Sequence, residues 1–264
     1  MKTIFSGYIF DLDGTIYVGD QLIDGADQVI EELQSAGKRV LFLTNKTIVS
    51  REDYVKKLNR LGIHVGIEHI LSPTLLTIQY LQERHPGAKL YVIGEPLIKE
   101  ELSSAGLTMA HSPAETDVVV ISWDRQFHYD HLNFAYQAIK RGAVTIATNP
   151  DRTCPVEGGD VPDCGGMIGA IEGTTGKKVD VVIGKPSVLT AKMALNMLKL
   201  KNDECLVIGD RLETDILMGK QAGMQTALVL TGITREEDVA QRADIRPDYI
   251  LQSVADLLEI NVAG

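Results

Sequence analysis

Apolar residues in this chain fall into short, almost unbroken runs. The stretches between them carry apolar positions every three to four residues. Tyr8-Ile9-Phe10, Val40-Leu41-Phe42-Leu43 and residues 90–93, 118–123, 144–147, 181–183, 205–208 and 225–230 are runs of the first kind. Strands with so little polar alternation are covered on both faces, as in a parallel sheet between layers of helix. The intervening periodicity predicts those helices. Residues 26–36 form an amphipathic run stopped by Gly37. Ser50 with Asp53 resembles a capping box and opens a helix to about Leu61, closed by Gly62. A third helical pattern runs from Pro73 to Arg84, where His85-Pro86-Gly87 breaks it.

Further along, Asp130 is expected to cap the helix through Leu132, Phe134 and Ile139. Residues 148–176 are rich in Gly, Pro, Asp and Thr and predict long loops. Cys164-Gly165-Gly166-Met167-Ile168-Gly169 nearly matches a dinucleotide fingerprint. It lacks the first glycine and follows Pro162 rather than a strand, so it predicts a flexible loop. The whole pattern predicts an α/β fold with a Rossmann-like parallel-sheet core in two pieces, residues 1–86 and 180–264. A second α/β domain, residues 87–179, is inserted between them.

Composition narrows the function. With 264 residues, 44% hydrophobic and 23% charged, the chain has material for a core of ordinary size. A net charge of −10 argues against nucleic acid as a partner held on a general basic face. No apolar run approaches the ~20 residues that span a bilayer, so no membrane partner is expected. Three cysteines, an odd number without CxxC spacing, suit a reducing, cytoplasmic setting.

The chemistry gathers at predicted strand ends, where open parallel sheets bind ligands. Phe10-Asp11-Leu12-Asp13-Gly14-Thr15 presents two carboxylates two residues apart, able to face one way and share a hard cation. Gly14 permits the tight turn that follows, and Thr15 offers a hydroxyl to brace it. At the end of the second run, Thr44 can donate to a phosphate oxygen and Asn45 can orient a neighbour. Lys185, between Gly184 and Pro186, brings a cation to another strand end. Asp210 follows Ile208-Gly209 and can complete a cation site, with Asp215 bracing Asp210, Lys185 or a bound water.

This order of Asp11-x-Asp13-Gly14-Thr15, Thr44-Asn45, Lys185-Pro186 and Gly209-Asp210…Asp215 resembles the haloacid dehalogenase (HAD) superfamily. The insertion between the second and third motifs looks like the large α/β cap of its NagD-type branch. Additional similar elements are Tyr91-Val92-Ile93-Gly94-Glu95, Ala147-Thr148-Asn149-Pro150-Asp151 and Thr231-Gly232, and within the branch AraL-type sugar phosphatases are the nearest likeness.

The resemblance implies a Mg²⁺-dependent phosphatase acting on small phosphorylated metabolites, sugar phosphates foremost. It implies Asp11 as a nucleophile that becomes an aspartyl-phosphate, and Asp13 as the acid and then base. Thr44 and Lys185 would hold the phosphoryl group, with Asn45 in support. Mg²⁺ would lie between Asp11, the Asp13 carbonyl and Asp210, with Asp215 behind them. A homodimer through the cap is a further implication. Asn149 and Asp151 either project from the cap toward the leaving group or stabilise their own turn.

Electrostatics agree with that assignment, because like charges at ~4 Å repel by roughly 4 kcal/mol per pair at an effective dielectric of ~20. A divalent ion and Lys185 would offset this repulsion between a carboxylate nucleophile and a phosphate ester. Asp13 and Asp210 favour phosphoryl transfer over dehalogenation, which needs neither proton donor nor cation. A phosphotransferase, or a phospho-accepting signalling protein using the same aspartate, is the alternative. The chain length and Asp11-x-Asp13 argue against the signalling domain.

Overall fold

The computed structural model describes residues 5–156, 158–242 and 244–260. The chain forms two compact units. Among the described residues, the first comprises those up to Thr44, Arg51–Leu71 and those from Lys185 on; the second comprises Asn45–Ser50 and those of Ser72–Gly184.

A six-stranded, all-parallel sheet lies at the centre of the first unit, in the order Tyr249–Leu251, Gln225–Val229, Cys205–Gly209, Gly7–Phe10, Arg39–Leu43, Ile70–Leu71. Gly7–Phe10 pairs with Cys205–Gly209 on one side and Arg39–Leu43 on the other. Successive connections therefore run outward in both directions from the first strand, and ligand sites form beyond strand ends at such a switch. Tyr8, Ile9 and Phe10 are fully buried, and each buried apolar side chain contributes about 1.5–3 kcal/mol. Phe10 also stacks on Phe42 of the adjacent strand. Packing around the first strand is close: a Cβ on Gly7 would lie 2.5 Å from Leu200 Cδ1. The helices Ala26–Ser35 and Arg51–Arg60 occur where the periodicity placed them.

The second unit has its own five-stranded parallel sheet, ordered Val181–Val182, Val144–Ala147, Val118–Ile121, Lys89–Ile93, Thr108–Met109. Its helices Tyr129–Lys140 and Cys164–Thr175 bury Ala135, Ala138, Met167 and Ile171 against Val119 and Ile121.

Several particulars differ from the sequence reading. The joints were expected at 86/87 and 179/180, whereas the compact units divide at Leu71/Ser72 and Gly184/Lys185. The helix Pro73–Arg84 groups with the second unit, where Gln82 Nε2 donates to the Ala105 carbonyl. Val181–Val182 adds to that unit's sheet, and the Ile183 and Gly184 amides continue the pairing onto the Ala147 and Thr148 carbonyls. His128, not Asp130, caps the helix Tyr129–Lys140, its Nδ1 accepting from the Asp130 amide.

Residues 148–176, expected as loops, contain the hairpin strands Thr153–Val156 and Gly159–Pro162 and the helix Cys164–Thr175. Glycine suits that helix because Gly165 passes close to another backbone: a Cβ there would lie 2.8 Å from the Asp151 carbonyl, which accepts the Gly165 amide. Among the described residues no helix is long and apolar enough to cross a membrane.

One carboxylate at the edge of the first sheet gives a pH test. Asp248 accepts from the Thr226 amide and hydroxyl, at 2.8 and 3.0 Å, and from Lys220. Burial pulls its pKa up, but the bonds from Lys220 and Thr226 outweigh that and hold it below the ordinary value. Such a group stabilises the fold above its unfolded pKa, and the contribution is lost as pH falls through the folded value. Asp248→Asn should therefore cost on the order of 1 kcal/mol at pH 7. The gap from the native chain should close at pH values below its ordinary carboxylate range, as read by denaturant melts at several pH values.

Candidate active site

The two central strands of the first sheet end side by side. Phe10 pairs with Ile208, and the Asp11 amide continues the ladder by donating to the Ile208 carbonyl at 2.8 Å. Asp11 thus leaves one strand beside the point where Gly209-Asp210 leaves the next. The intervening loop is a tight turn in which the amides of Thr15, Ile16 and Tyr17 all converge on the Leu12 carbonyl. Gly14 adopts φ 84°, and a Cβ there would lie 2.7 Å from Asp210 Oδ2, so both conformation and space require glycine. The expected brace from Thr15 is not made: its hydroxyl is buried with no hydrogen-bond partner among the described residues. Backbone bonds hold the turn instead.

Lys185 is the centre of the cluster. Its side chain is only 4% exposed, and its ammonium donates to Asp11 Oδ1, to Asp215 Oδ1 at 2.7 Å and to the Leu43 carbonyl at 3.3 Å. Burial works against its charge, but the two carboxylates overcome that and raise its pKa above the ordinary lysine value. Asp215 is oriented from behind by the Arg211 amide and the Thr214 hydroxyl, which reach its other oxygen. Of the alternatives open in the sequence, Asp215 therefore braces Lys185. This close approach is possible because residue 209 is glycine; a Cβ there would lie 2.2 Å from the Asp215 Cγ.

Asp210 faces the same space. Its Oδ2 accepts from the Ile233 amide at 2.7 Å, while its Oδ1 is buried with no hydrogen-bond partner among the described residues. Burial, and then the nearby Asp215 charge, raise its pKa to about 6. Asp11 is raised well above the usual carboxylate value, chiefly by burial, with Asp215 and Asp210 adding to the effect against the pull of Lys185. Single ligand atoms of Asp11, Asp210 and Asp215 lie within 4.8 Å of one another. One buried lysine does not neutralise three carboxylates, so the arrangement suits a hard cation bound by oxygen.

Thr44 is buried at the end of Arg39–Leu43, its amide donating to the Leu71 carbonyl and its hydroxyl 3.4 Å from the Tyr54 hydroxyl. Asp13 is half-buried and bridges to Tyr17 through the backbone. Asn45, Asn149 and Asp151 belong to the second unit and bond to one another there.

Sequence reading missed Tyr54 and Ile233. Tyr54 was legible as the first inward position of the helix after Thr44-Asn45, paired with Leu58. Ile233 acts through its backbone amide, which leaves no trace in residue type. Cys164 and Cys205 offer no rival nucleophile: burial pushes both thiols up to about 12.

Comparison with known proteins decides the family. The model described as haloacid dehalogenase-like hydrolase matches residues 8–108, and the HAD-hydrolase-like model matches residues 182–257. The chain is 41% identical to the sugar-phosphatase AraL of Bacillus subtilis, over 98% of this chain and 94% of that protein. It belongs to the haloacid dehalogenase-like hydrolases.

Among solved structures, the p-nitrophenyl phosphatase of Archaeoglobus fulgidus superposes with a TM-score of 0.91 at 36% identity, covering 97% of this chain and 99% of that one. NagD from Escherichia coli K-12 superposes with a TM-score of 0.87 at 31% identity, covering 96% and 98%. The chain is a phosphatase of the NagD-type HAD branch, as the order of its motifs implied.

The role of Lys185 as a buried counter-charge is testable in the fold itself. Lys185→Met would leave Asp11 and Asp215 facing each other without their shared cation and should cost about 3–5 kcal/mol in denaturant unfolding at pH 7. Adding Asp215→Asn to that variant should recover part of the loss.

Proposed function

We propose that this HAD phosphatase hydrolyses small phosphorylated metabolites, sugar phosphates foremost, through a phosphoryl group carried on Asp11 and with Mg²⁺ as cofactor. The observation that carries the reading is the buried Lys185 ammonium between Asp11 and Asp215, beside an Asp210 oxygen that has no hydrogen-bond partner among the described residues. The AraL relative supports the substrate class, being named a sugar-phosphatase and matching nearly the whole chain.

In this mechanism an Asp11 carboxylate oxygen attacks phosphorus as the bond from phosphorus to the leaving oxygen breaks. Asp13 donates a proton to that oxygen, releasing an alcohol. Asp13 then takes a proton from water, which attacks the phosphorus and restores the Asp11 carboxylate. Lys185 and the Thr44 hydroxyl hold the transferring oxygens, and Tyr54 lies against Thr44. Asn45 supports the loop on which Thr44 ends.

The residues present fit a divalent cation: their donors are all oxygen, three carboxylates converge, and one buried carboxylate oxygen has no hydrogen-bond partner among the described residues. Asp11, Asp210 and the Asp13 carbonyl would hold it, with Asp215 in support through Lys185. Bound there, it would supply positive charge to offset the repulsion between substrate and carboxylates.

Two measurements test the proposal. Phosphate release from a panel of sugar phosphates, nucleotides and p-nitrophenyl phosphate should show repeated turnover that stops with EDTA and falls to background in Asp11→Asn. Quenched reactions of the native chain should carry one phosphoryl group, absent from that variant. Persistent turnover in Asp11→Asn would falsify the assignment of the nucleophile, and transfer to an added alcohol without phosphate release would indicate a transferase.

The second measurement is thermal. A carboxyl whose folded pKa is raised destabilises the fold once pH exceeds its unfolded value, because the ionised form is favoured in the unfolded chain. Asp210→Asn should therefore melt higher than the native protein when both are stripped of metal at pH 7. Mg²⁺ should raise the native melting temperature and have little effect on the variant.

A further inference from the structure

Asn45, Asn149 and Asp151 close a hydrogen-bonded ring inside the second unit. The Asn45 Nδ2 donates to both Asp151 oxygens, each at 3.2 Å. The Asn149 Nδ2 donates to the Asn45 carbonyl at 3.0 Å, and the Asn149 Oδ1 accepts the Asp151 amide at 3.0 Å. Asn149 is 1% exposed and Asn45 8%, so these bonds satisfy polar groups that water scarcely reaches. The same short segment is tied down a second time. The Thr47 hydroxyl meets the Ser122 hydroxyl at 2.9 Å, and Thr148 donates to Ser122 at 3.1 Å.

The position of the ring along the chain gives it a meaning. Of the four points where the chain changes unit, Asn45 follows the first and Gly184 precedes the last. A Cβ on Gly184 would lie 2.6 Å from the Asn45 Oδ1 and 3.1 Å from the Asn149 Cβ, and the Gly184 amide donates to the Thr148 carbonyl at 2.8 Å. The two crossings are thus packed against each other through the ring. One peptide bond away stand Thr44 and Lys185, and the Lys185 ammonium itself reaches back to the Leu43 carbonyl.

We propose that Asp151 and Asn149 are positioning residues, which fix the spacing of Thr44 and Lys185 by tying together the two chain crossings that carry them. This rests on the phosphatase reading above and assigns both residues a role other than contact with the leaving group. The bonds from Asn45 to a carboxylate are charge-assisted and hold the pair in one geometry. Moving a holding group by about 1 Å can cost on the order of a hundredfold in rate. A loss of this origin falls on the phosphoryl group, which all substrates share, and not on the leaving group.

Asp151→Asn is isosteric and changes one face of the ring. Thr47→Val leaves the ring and cuts its tie to Ser122. Both are compared with the native chain for kcat and KM on p-nitrophenyl phosphate and on a sugar phosphate, and for inorganic phosphate binding by calorimetry. Asp151→Asn should lower kcat/KM on both substrates by the same factor, about tenfold to a hundredfold, and weaken phosphate binding in parallel. Thr47→Val should move both quantities the same way by less. A loss that depends on the leaving group, or unchanged phosphate affinity in both variants, would overturn the proposal. If the native chain binds phosphate yet turns over no ester, the hydrolase reading fails alone, and the calorimetric arm still decides the role of the ring.

Discussion

A lysine ammonium buried to the extent of Lys185 is stable only because two carboxylates meet it, and much of the surrounding structure serves that meeting. Removing such a charge from water costs several kcal/mol, and the cost is offset only where the geometry of its partners is good. Asp11 is delivered by the last hydrogen bond of the central strand, and Asp215 by a helical turn whose Arg211 amide and Thr214 hydroxyl orient it. The lysine arrives from the other end of the second unit, directly after a crossing. Three distant stretches of sequence must therefore agree in position before the charge is satisfied.

Absence of side chains is as much a part of this arrangement as their presence. Gly209 lets Asp215 approach the strand, and Gly14 and Gly232 let two loops close over Asp210; a Cβ on Gly232 would lie 2.0 Å from the Asp210 carboxylate. The Thr231 hydroxyl donates to the Gly14 carbonyl at 2.6 Å, and the Thr234 amide to the Asp210 carbonyl at 3.2 Å. These bonds fasten the loop after Gln225–Val229 onto the turn that carries Asp13 and onto Asp210. Acidic groups are thereby held near one another more rigidly than their own repulsion would permit. Their raised pKa values express this enforced proximity together with burial.

What was legible in the sequence follows the range of the forces involved. The strands Gly7–Phe10, Arg39–Leu43 and Cys205–Gly209, and the acids and lysine at strand ends, can be read because local apolarity and strand termination are local properties. Which sheet Val181–Val182 joins is decided by pairing with Val144–Ala147, and the apolar run is the same in either case. The helix Cys164–Thr175 was hidden by its glycines, of which Gly165 serves close packing against Asp151, a tertiary cause that overrides propensity. For the same reason Asn149 and Asp151 looked equally suited to a turn or to a substrate. Their partner Asn45 lies more than a hundred positions away, and only the fold discloses it.

The polar ring also bears on the order in which this chain can assemble. The strand Arg39–Leu43 precedes the long insertion and Cys205–Gly209 follows it, yet each must pair with Gly7–Phe10 in one sheet. Closing so long a loop in an otherwise unstructured chain is entropically costly and slow. Once the second unit has formed, Asn45 and Gly184 are neighbours, and the free loop between those strands shrinks roughly sevenfold. At about 0.6 kcal/mol per doubling, this lowers the closure entropy left to the core sheet by nearly 2 kcal/mol. A fold whose central strand takes its two neighbours from before and after a long insertion thus gains from completing that insertion first.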